Sequence, residues 1–250
     1  MKQAFYFAAG IGMLALSKAA YHLRGYVTPR PKNSPEDDIA YGERVVGEWL
    51  QAGANFTDRD VLELGPGDSK HIPALILGAG AHSYAGFDAN PLREDYDSGP
   101  FSHRSRPDFD LSRAYPGRKF SMFVSQAAFE HFDSPDLTIN QLSEMAAPDA
   151  RLIFSIDLRT HGRWIRDKDP LNIYRYSDWL YDKLTYRGSP NRMSMSQYIH
   201  ALQANGWTVG QVNVTSVEPD YFNEVKGSLH KSFRRMETQH VWIVIQASRK

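Results

Sequence analysis

Two acids and a tight turn lie close enough along this chain to hold a charged small molecule. Glu63 is followed by Gly65, Pro66, Gly67 and Asp68, and then by Asp88. Glycine lets backbone approach a ligand that a side chain would keep away. Placed between a strand and a helix, such a turn aims N–H groups at that ligand. A dinucleotide-binding fingerprint needs a further glycine three residues after the second, and position 70 is Lys. Pro66 removes a donor and Asp68 repels a pyrophosphate. Asp88 follows the turn at the spacing, about 20 residues, at which a carboxylate grips ribose hydroxyls. The set suits a positively charged nucleoside without phosphates and disfavours a dinucleotide-dependent oxidoreductase.

A second group could move a proton. His131, Asp157 and His161 are candidate bases. His131 has a purely structural reading as well, in which it holds a loop by hydrogen bonds. Asp157 and His161 frame Arg159 on a loop, where functional residues concentrate. The Asp-x-x-x-His spacing offers two metal ligands without a third, so no metal site is assigned.

The elements that must position these residues follow from pattern. Residues 61–64 form a buried strand with Glu63 as its one acid, and residues 70–77 a helix. Further strands are expected over 83–87, 120–125, 151–156, 207–217 and 240–247, with a helix over 137–145. No strand is clearly signalled between 91 and 110. Ser34-Pro35-Glu36-Asp37 starts a helix whose inner face reads Ile39, Gly42, Val46, Trp49 and Leu50. Ser194 or Ser196 caps a helix that Gly206 stops, and residues 228–236 read as a basic helical piece. Strands separated by helices imply a parallel sheet with right-handed crossovers. The closing pair of strands adds an antiparallel edge. Residues 159–192 break the alternation. They are rich in Trp and Tyr and read as an inserted lid, whose aromatics either form its own core or line an acceptor pocket. Arg187, Arg192, Lys231, Arg234 and Arg235 either form a solvated face or receive an anionic acceptor.

Composition narrows the classes. Of 250 residues 42% are apolar, enough for a sizeable core, and there is no cysteine, which excludes disulfides and thiolate chemistry. Lys plus Arg balances Asp plus Glu at 29 each, so a nucleic-acid partner is not expected. Residues 1–33 form a separate apolar and basic segment ahead of a domain over 34–250. The uncharged run 3–17 is shorter than the roughly 18–20 residues of a spanning helix. It reads as a signal peptide, an interfacial helix or a docking helix. A cytosolic cofactor ranks the signal peptide last. That leaves a cytoplasmic protein that meets a membrane surface or a second subunit, as in a homodimer, through residues 1–25.

Residues 61–69 (Val-Leu-Glu-Leu-Gly-Pro-Gly-Asp-Ser) resemble the first motif of class I S-adenosylmethionine-dependent methyltransferases. Asp88 matches the acid ending their second strand. Residues 120–132 (Phe-Ser-Met-Phe-Val-Ser-Gln-Ala-Ala-Phe-Glu-His-Phe) are similar to their fourth-strand segment, which often ends in Glu-His. Residues 144–156 resemble the stretch where a proline turn precedes the fifth strand. The resemblance implies an α/β fold, a Rossmann-like doubly wound, mostly parallel seven-stranded sheet with an antiparallel edge strand. It implies S-adenosyl-L-methionine along Glu63, Gly65, Pro66, Gly67 and Asp68, with its ribose on Asp88 and its adenine near Asp108 or Asp110. Gln126, inside the fourth-strand motif, joins that set. The implied reaction is methyl transfer to a small or medium-sized acceptor, at oxygen. The alternative is a non-catalytic relative that uses the fold to bind a partner. Two positions depart from the family: Ser121 replaces an acid, and Pro148-Asp149-Ala150 replaces Pro-Gly-Gly.

Overall fold

In the computed structural model, residues 2–24, 35–67, 69–88, 96–105, 110–234 and 237–249 are described. Asp68, Asp108, Arg235 and residues 91–95 and 106–109 lie outside them. The chain opens with helices α1 (Lys2–Arg24) and α2 (Pro35–Gln51). Next come β1 (Asp60–Leu64), α3 (His71–Gly78), β2 (Ser83–Asp88), β3 (Tyr96–Ser98) and β4 (Phe101–Ser105). Short α4 (Leu111–Ala114) leads to β5 (Phe120–Gln126), a 3-10 turn (Phe129–His131), α5 (Pro135–Met145) and β6 (Ala146–Asp157). The lid contributes α6 (Arg163–Lys168), a 3-10 turn (Asn172–Arg175) and α7 (Asp178–Leu184). The chain closes with α8 (Met195–Ala204), β7 (Trp207–Ser216), α9 (Pro219–Val225) and β8 (His240–Arg249).

The described strands form one sheet in the order β3-β4-β2-β1-β5-β6-β8-β7. β4, β2, β1, β5 and β6 run parallel, and β8 is antiparallel to both β6 and β7. This is the expected mostly parallel sheet of seven strands. The three-residue β3, antiparallel to β4, adds an eighth at the other edge. The 91–110 stretch therefore holds a strand that its polar sequence hides: Phe101-Ser-His-Arg-Ser has almost no apolar content to mark it.

One apolar cluster, with Phe123, Phe129, Leu142, Tyr198 and Trp207, packs α4, α5 and α8 on one face. A second, with Val45, Trp49, Ile72, Ile76 and Met122, packs α2 and α3 on the other. β1 is buried on both sides, as a central parallel strand must be. The inner face of α2 is Gly42, Val45, Val46 and Trp49, while Ile39 and Leu50 are exposed. At about 100° per residue, the latter two lie roughly 60–80° round the axis from Gly42, beyond the stripe.

Both departures from the family pattern keep a structural job. Ser121 Oγ accepts from Asp60 N at 3.0 Å, tying β5 to the start of β1. Asp149 adopts φ +63°, the left-handed conformation a glycine favours, and pairs with Arg59 at 3.0 Å.

The lid has its own core. Leu171, Ile173, Tyr174, Tyr176 and Tyr181 pack with Val225, Leu229 and Phe233 from the β7–β8 connection. Trp164 and Trp179 stay exposed. The helix of that connection is α9, starting at Pro219, rather than 228–236; Pro at the first helical position followed by Asp220 is the start signal. Helix α1 docks on the lid. Gly10 is buried where a Cβ would overlap Asn172 Oδ1 and Tyr176 Oη. Asn172 Nδ2 donates to Tyr6 O at 2.9 Å, and Tyr21 stacks on Tyr186 at 4.7 Å. The remaining face of α1 exposes Phe5, Leu16 and Leu23.

Candidate functional site

The C-terminal ends of β1, β2, β5 and β6 meet along one edge of the sheet, where ligands bind in such folds. β1 stops because Gly65 takes φ +69° and Gly67 φ +62°. Gly65 N donates to Phe87 O at 2.8 Å, and Pro66 packs on Gly86, so the turn is anchored to β2. A Cβ on Gly65 would overlap that of Ala128, just past β5, whereas one on Gly67 would meet open space. The turn therefore closes tightly against β5 on one side and leaves room for a ligand on the other.

The N–H groups at the start of α3 are already taken. Ser69 Oγ accepts from His71 N and Ile72 N at 3.3 Å, and Asp38 from α2 accepts from Lys70 N at 3.1 Å. A phosphate would have to displace these acceptors and face the Asp38 carboxylate. This agrees with the absence of the third glycine and favours a cationic ligand.

The expected cofactor residues fall as follows. Glu63 is buried and accepts from Tyr84 Oη at 2.6 Å. Tyr41 of α2 approaches it; burial first, then the Glu63 charge, push the Tyr41 phenol up. Asp88 ends β2 and is 9% exposed. Gln126 ends β5; its Nε2 donates to Glu48 Oε2 at 3.0 Å, while its buried Oε1 has no partner. Asp110 caps α4 by accepting from Arg113 N at 3.0 Å, which commits it to the fold. Gly65, Gly67, Asp88 and Gln126 thus lie at or just past the C-terminal ends of the neighbouring strands β1, β2 and β5. The glycines admit backbone contact and Asp88 presents a carboxylate, which fits a nucleoside sulfonium. Asp38 and Glu48, both on α2, are neighbours of these residues that sequence reasoning missed. Their charge on an amphipathic helix looks like ordinary solvated surface.

Just past Ala128 lies a cluster of titratable side chains, Glu130, His131 and His161. Ala127, at φ +47°, turns the chain out of β5 into the 3-10 turn that carries Glu130 and His131. His161 comes from the loop after β6. The two imidazole rings stand edge to face, 4.6 Å apart. His131 Nδ1 donates to Gly188 O at 2.7 Å, and His161 Nδ1 to Arg159 O at 2.9 Å. Burial lowers the His131 pKa, against the pull of Glu130. Burial would lower that of His161 too, but Glu130 and Asp157 outweigh it and hold His161 above its ordinary value.

Asp157 is engaged elsewhere. Arg159 donates to its Oδ1 from Nε and to its Oδ2 from Nη2, both at 2.8 Å. Burial would raise the carboxyl, but these bonds prevail and keep it below the usual range. Asp157 is therefore a poorer proton acceptor than the histidines. Glu130, which the sequence showed only as part of a motif, is the member the fold adds. Arg192 does not face the site: buried, it pairs with Asp178 at 2.6 Å and lies over the Tyr181 ring at 4.0 Å.

Comparison with known proteins bears on the fold and the family. The family model described as "Methyltransferase domain" matches residues 40–212, more than half of the chain. No curated protein sequence matches. Among solved structures, a protein from Listeria monocytogenes assigned as an S-adenosylmethionine-dependent methyltransferase superposes with TM-score 0.55 at 18% identity, covering 84% of this chain and 99% of its own. An S-adenosylmethionine-dependent methyltransferase from Mesorhizobium loti gives 0.54 at 11% identity, covering 83% and 98%. A protein from Galdieria sulphuraria assigned as a sarcosine dimethylglycine methyltransferase gives 0.53 at 12%, covering 94% and 98%. These likenesses are of fold. The matched family model means that the chain belongs to the methyltransferase domain family.

Proposed function

We propose that this protein transfers the methyl group of S-adenosylmethionine to an oxygen of a small or medium-sized acceptor. The carrying observation is the position of Glu130, His131 and His161, just past the Ala128 that touches the glycine turn. The bound cofactor supplies an electrophilic methyl on a sulfonium. Gly65 and Gly67 let backbone approach its amino-acid part, Asp88 holds ribose hydroxyls, and Glu63 and Asp38 complement its positive charge. The lid end at Asn191, whose N–H donates to Glu130 O at 2.8 Å, roofs the acceptor side and excludes water. The acceptor oxygen forms its bond to the methyl carbon as the S–C bond breaks. The hydroxyl proton leaves to the imidazole–carboxylate pair of His161 and Glu130. In-line positioning supplies most of the acceleration.

Calorimetric titration with S-adenosylmethionine and S-adenosylhomocysteine tests the donor half. Wild type binds both, and Asp88→Ala weakens binding about 10–100-fold, the loss of a charged hydrogen-bond acceptor. Unchanged affinity removes Asp88 from the ribose role. No binding by wild type overturns the reading in favour of a non-catalytic relative.

The exposed face of α1 supports a cytoplasmic, membrane-associated location. Lys2–Leu23 is long enough and apolar enough to cross a membrane by length and composition. Its other face is committed to the lid, and its charges are basic, so the proposed contact is a surface one with anionic lipid. The protein should co-sediment with phosphatidylserine-containing vesicles. Leu16→Glu with Leu23→Glu should release it, and equal sedimentation of the variant sinks the idea.

A further inference from the structure

Glu130 sits in a setting that a proton acceptor does not need. It is 2% exposed, and neither carboxylate oxygen accepts a hydrogen bond. An ionised carboxylate in that state is costly unless a cation stands beside it. The histidines around it are tied in a particular sense. A carbonyl oxygen can only accept, so the contacts with Gly188 O and Arg159 O place a proton on Nδ1 of each ring. Nε2 is then the lone-pair nitrogen of both. His161 Nε2 lies 3.5 Å from Glu130 Oε1. Two acceptors at that separation repel unless positive charge lies between them.

We propose that Glu130, His131 and His161 bind one divalent first-row transition-metal ion, zinc foremost. One donor atom from each of the three lies within 4.8 Å of the others. Tetrahedral zinc bonds of about 2.0–2.2 Å put ligand atoms roughly 3.3 Å apart. The His161–Glu130 pair, at 3.5 Å, is already near that spacing, and the cation would have to draw His131 in from within 4.8 Å. Two imidazoles and a carboxylate select zinc or its neighbours over magnesium or calcium, which prefer all-oxygen sites. Three protein ligands leave a position open, the arrangement of a catalytic site. The carbonyls of Gly188 and Arg159 fix tautomer and ring orientation, the usual outer support of metal-binding histidines. The ligands come from the turn after β5 and the loop after β6, and the lid supplies the Gly188 support, so the cation would fasten three segments together. Its use rests on the oxygen-methylation reading above but replaces the proton transfer to His161 and Glu130: the open position would take the acceptor hydroxyl and lower its pKa, and with those two side chains held as ligands the proton would pass to solvent. The competing explanation is a proton on His161, giving an imidazolium–carboxylate pair and no metal.

Zinc sulfate alone, titrated calorimetrically into the full chain after chelation and dialysis, decides between them. Wild type should take up one equivalent and gain thermal stability. Glu130→Gln and His161→Ala should each weaken that site at least about tenfold and lose the zinc-dependent stabilisation, while retaining a cooperative melt without zinc. No uptake by wild type, or equal uptake by both variants, overturns the proposal. S-adenosylmethionine is titrated separately into the chelated protein. Protein that binds the donor but not zinc sinks only the metal, and protein that binds zinc but not the donor sinks only the methyl-transfer reading.

Discussion

Asp169→Ala should lower the unfolding free energy by about 3–5 kcal/mol, the cost of stripping one partner from a buried ion pair. The Asp169 side chain is fully buried and that of Arg175 is 1% exposed, with Nε and Oδ2 2.8 Å apart. Asp169 also accepts from Arg175 Nη2 and from Asn172 Nδ2, each at 2.8 Å, and from Tyr221 Oη. Burial, with Asp169 alongside, pushes the Tyr221 phenol far above its ordinary range, so it remains a neutral donor. Arg175 continues outward to Gln3 of α1 and to Ser228. One carboxylate thus joins the lid, the β7–β8 connection and α1. Its removal leaves a guanidinium in a low-dielectric site and several donors without an acceptor. Asp169→Asn keeps the shape but not the charge and should fall between. Urea unfolding measures the effect, and a loss under about 1 kcal/mol would mean the network is solvated. Hydrogen exchange in α1 should rise with the same substitution, because its polar anchor on Arg175 is lost.

Gly65→Ala should be nearly as costly and should abolish cofactor binding. Two effects add. At φ +69° a Cβ brings left-handed strain of roughly 1–2 kcal/mol. That Cβ would also overlap Ala128, and overpacking of this kind costs about 1–3 kcal/mol. The wall it would push is the start of the turn holding Glu130 and His131, so donor and acceptor sides should shift together. Gly67→Ala is the control. It shares the positive φ, at +62°, but among the described residues its Cβ meets nothing. It should show the strain alone in a thermal melt while still crowding the cofactor in calorimetry. Equal destabilisation by the two substitutions would contradict the closeness of Gly65 to Ala128.

Where local chemistry decides, the chain was readable. The turn at 65–67, the Ser194 cap and the Gly206 stop appear as expected, because each depends on the conformational freedom or hydrogen bonding of a few neighbouring residues. Tyr174, Tyr176 and Tyr181 form the lid's own core, one of the two readings open beforehand, while Tyr186 stacks on Tyr21 of α1. β4 and α9 escaped notice. β4 has little apolar content, and the start signal of α9 lies close to a more conspicuous basic run.

The sequence by itself determined the proposed donor site. Glu63, Gly65, Gly67 and Asp88 belong to two consecutive strand ends, and a right-handed crossover leaves those strands nowhere to lie but side by side. Only the tertiary structure decided the acceptor side. Glu130 and His161 are separated by a helix and a strand, and they meet because β6 pairs with β5. Gln126 turns to Glu48 through packing that no local pattern encodes. Neighbouring residues can specify a turn, but a cluster of charges from three segments exists only once the sheet order has brought those segments together.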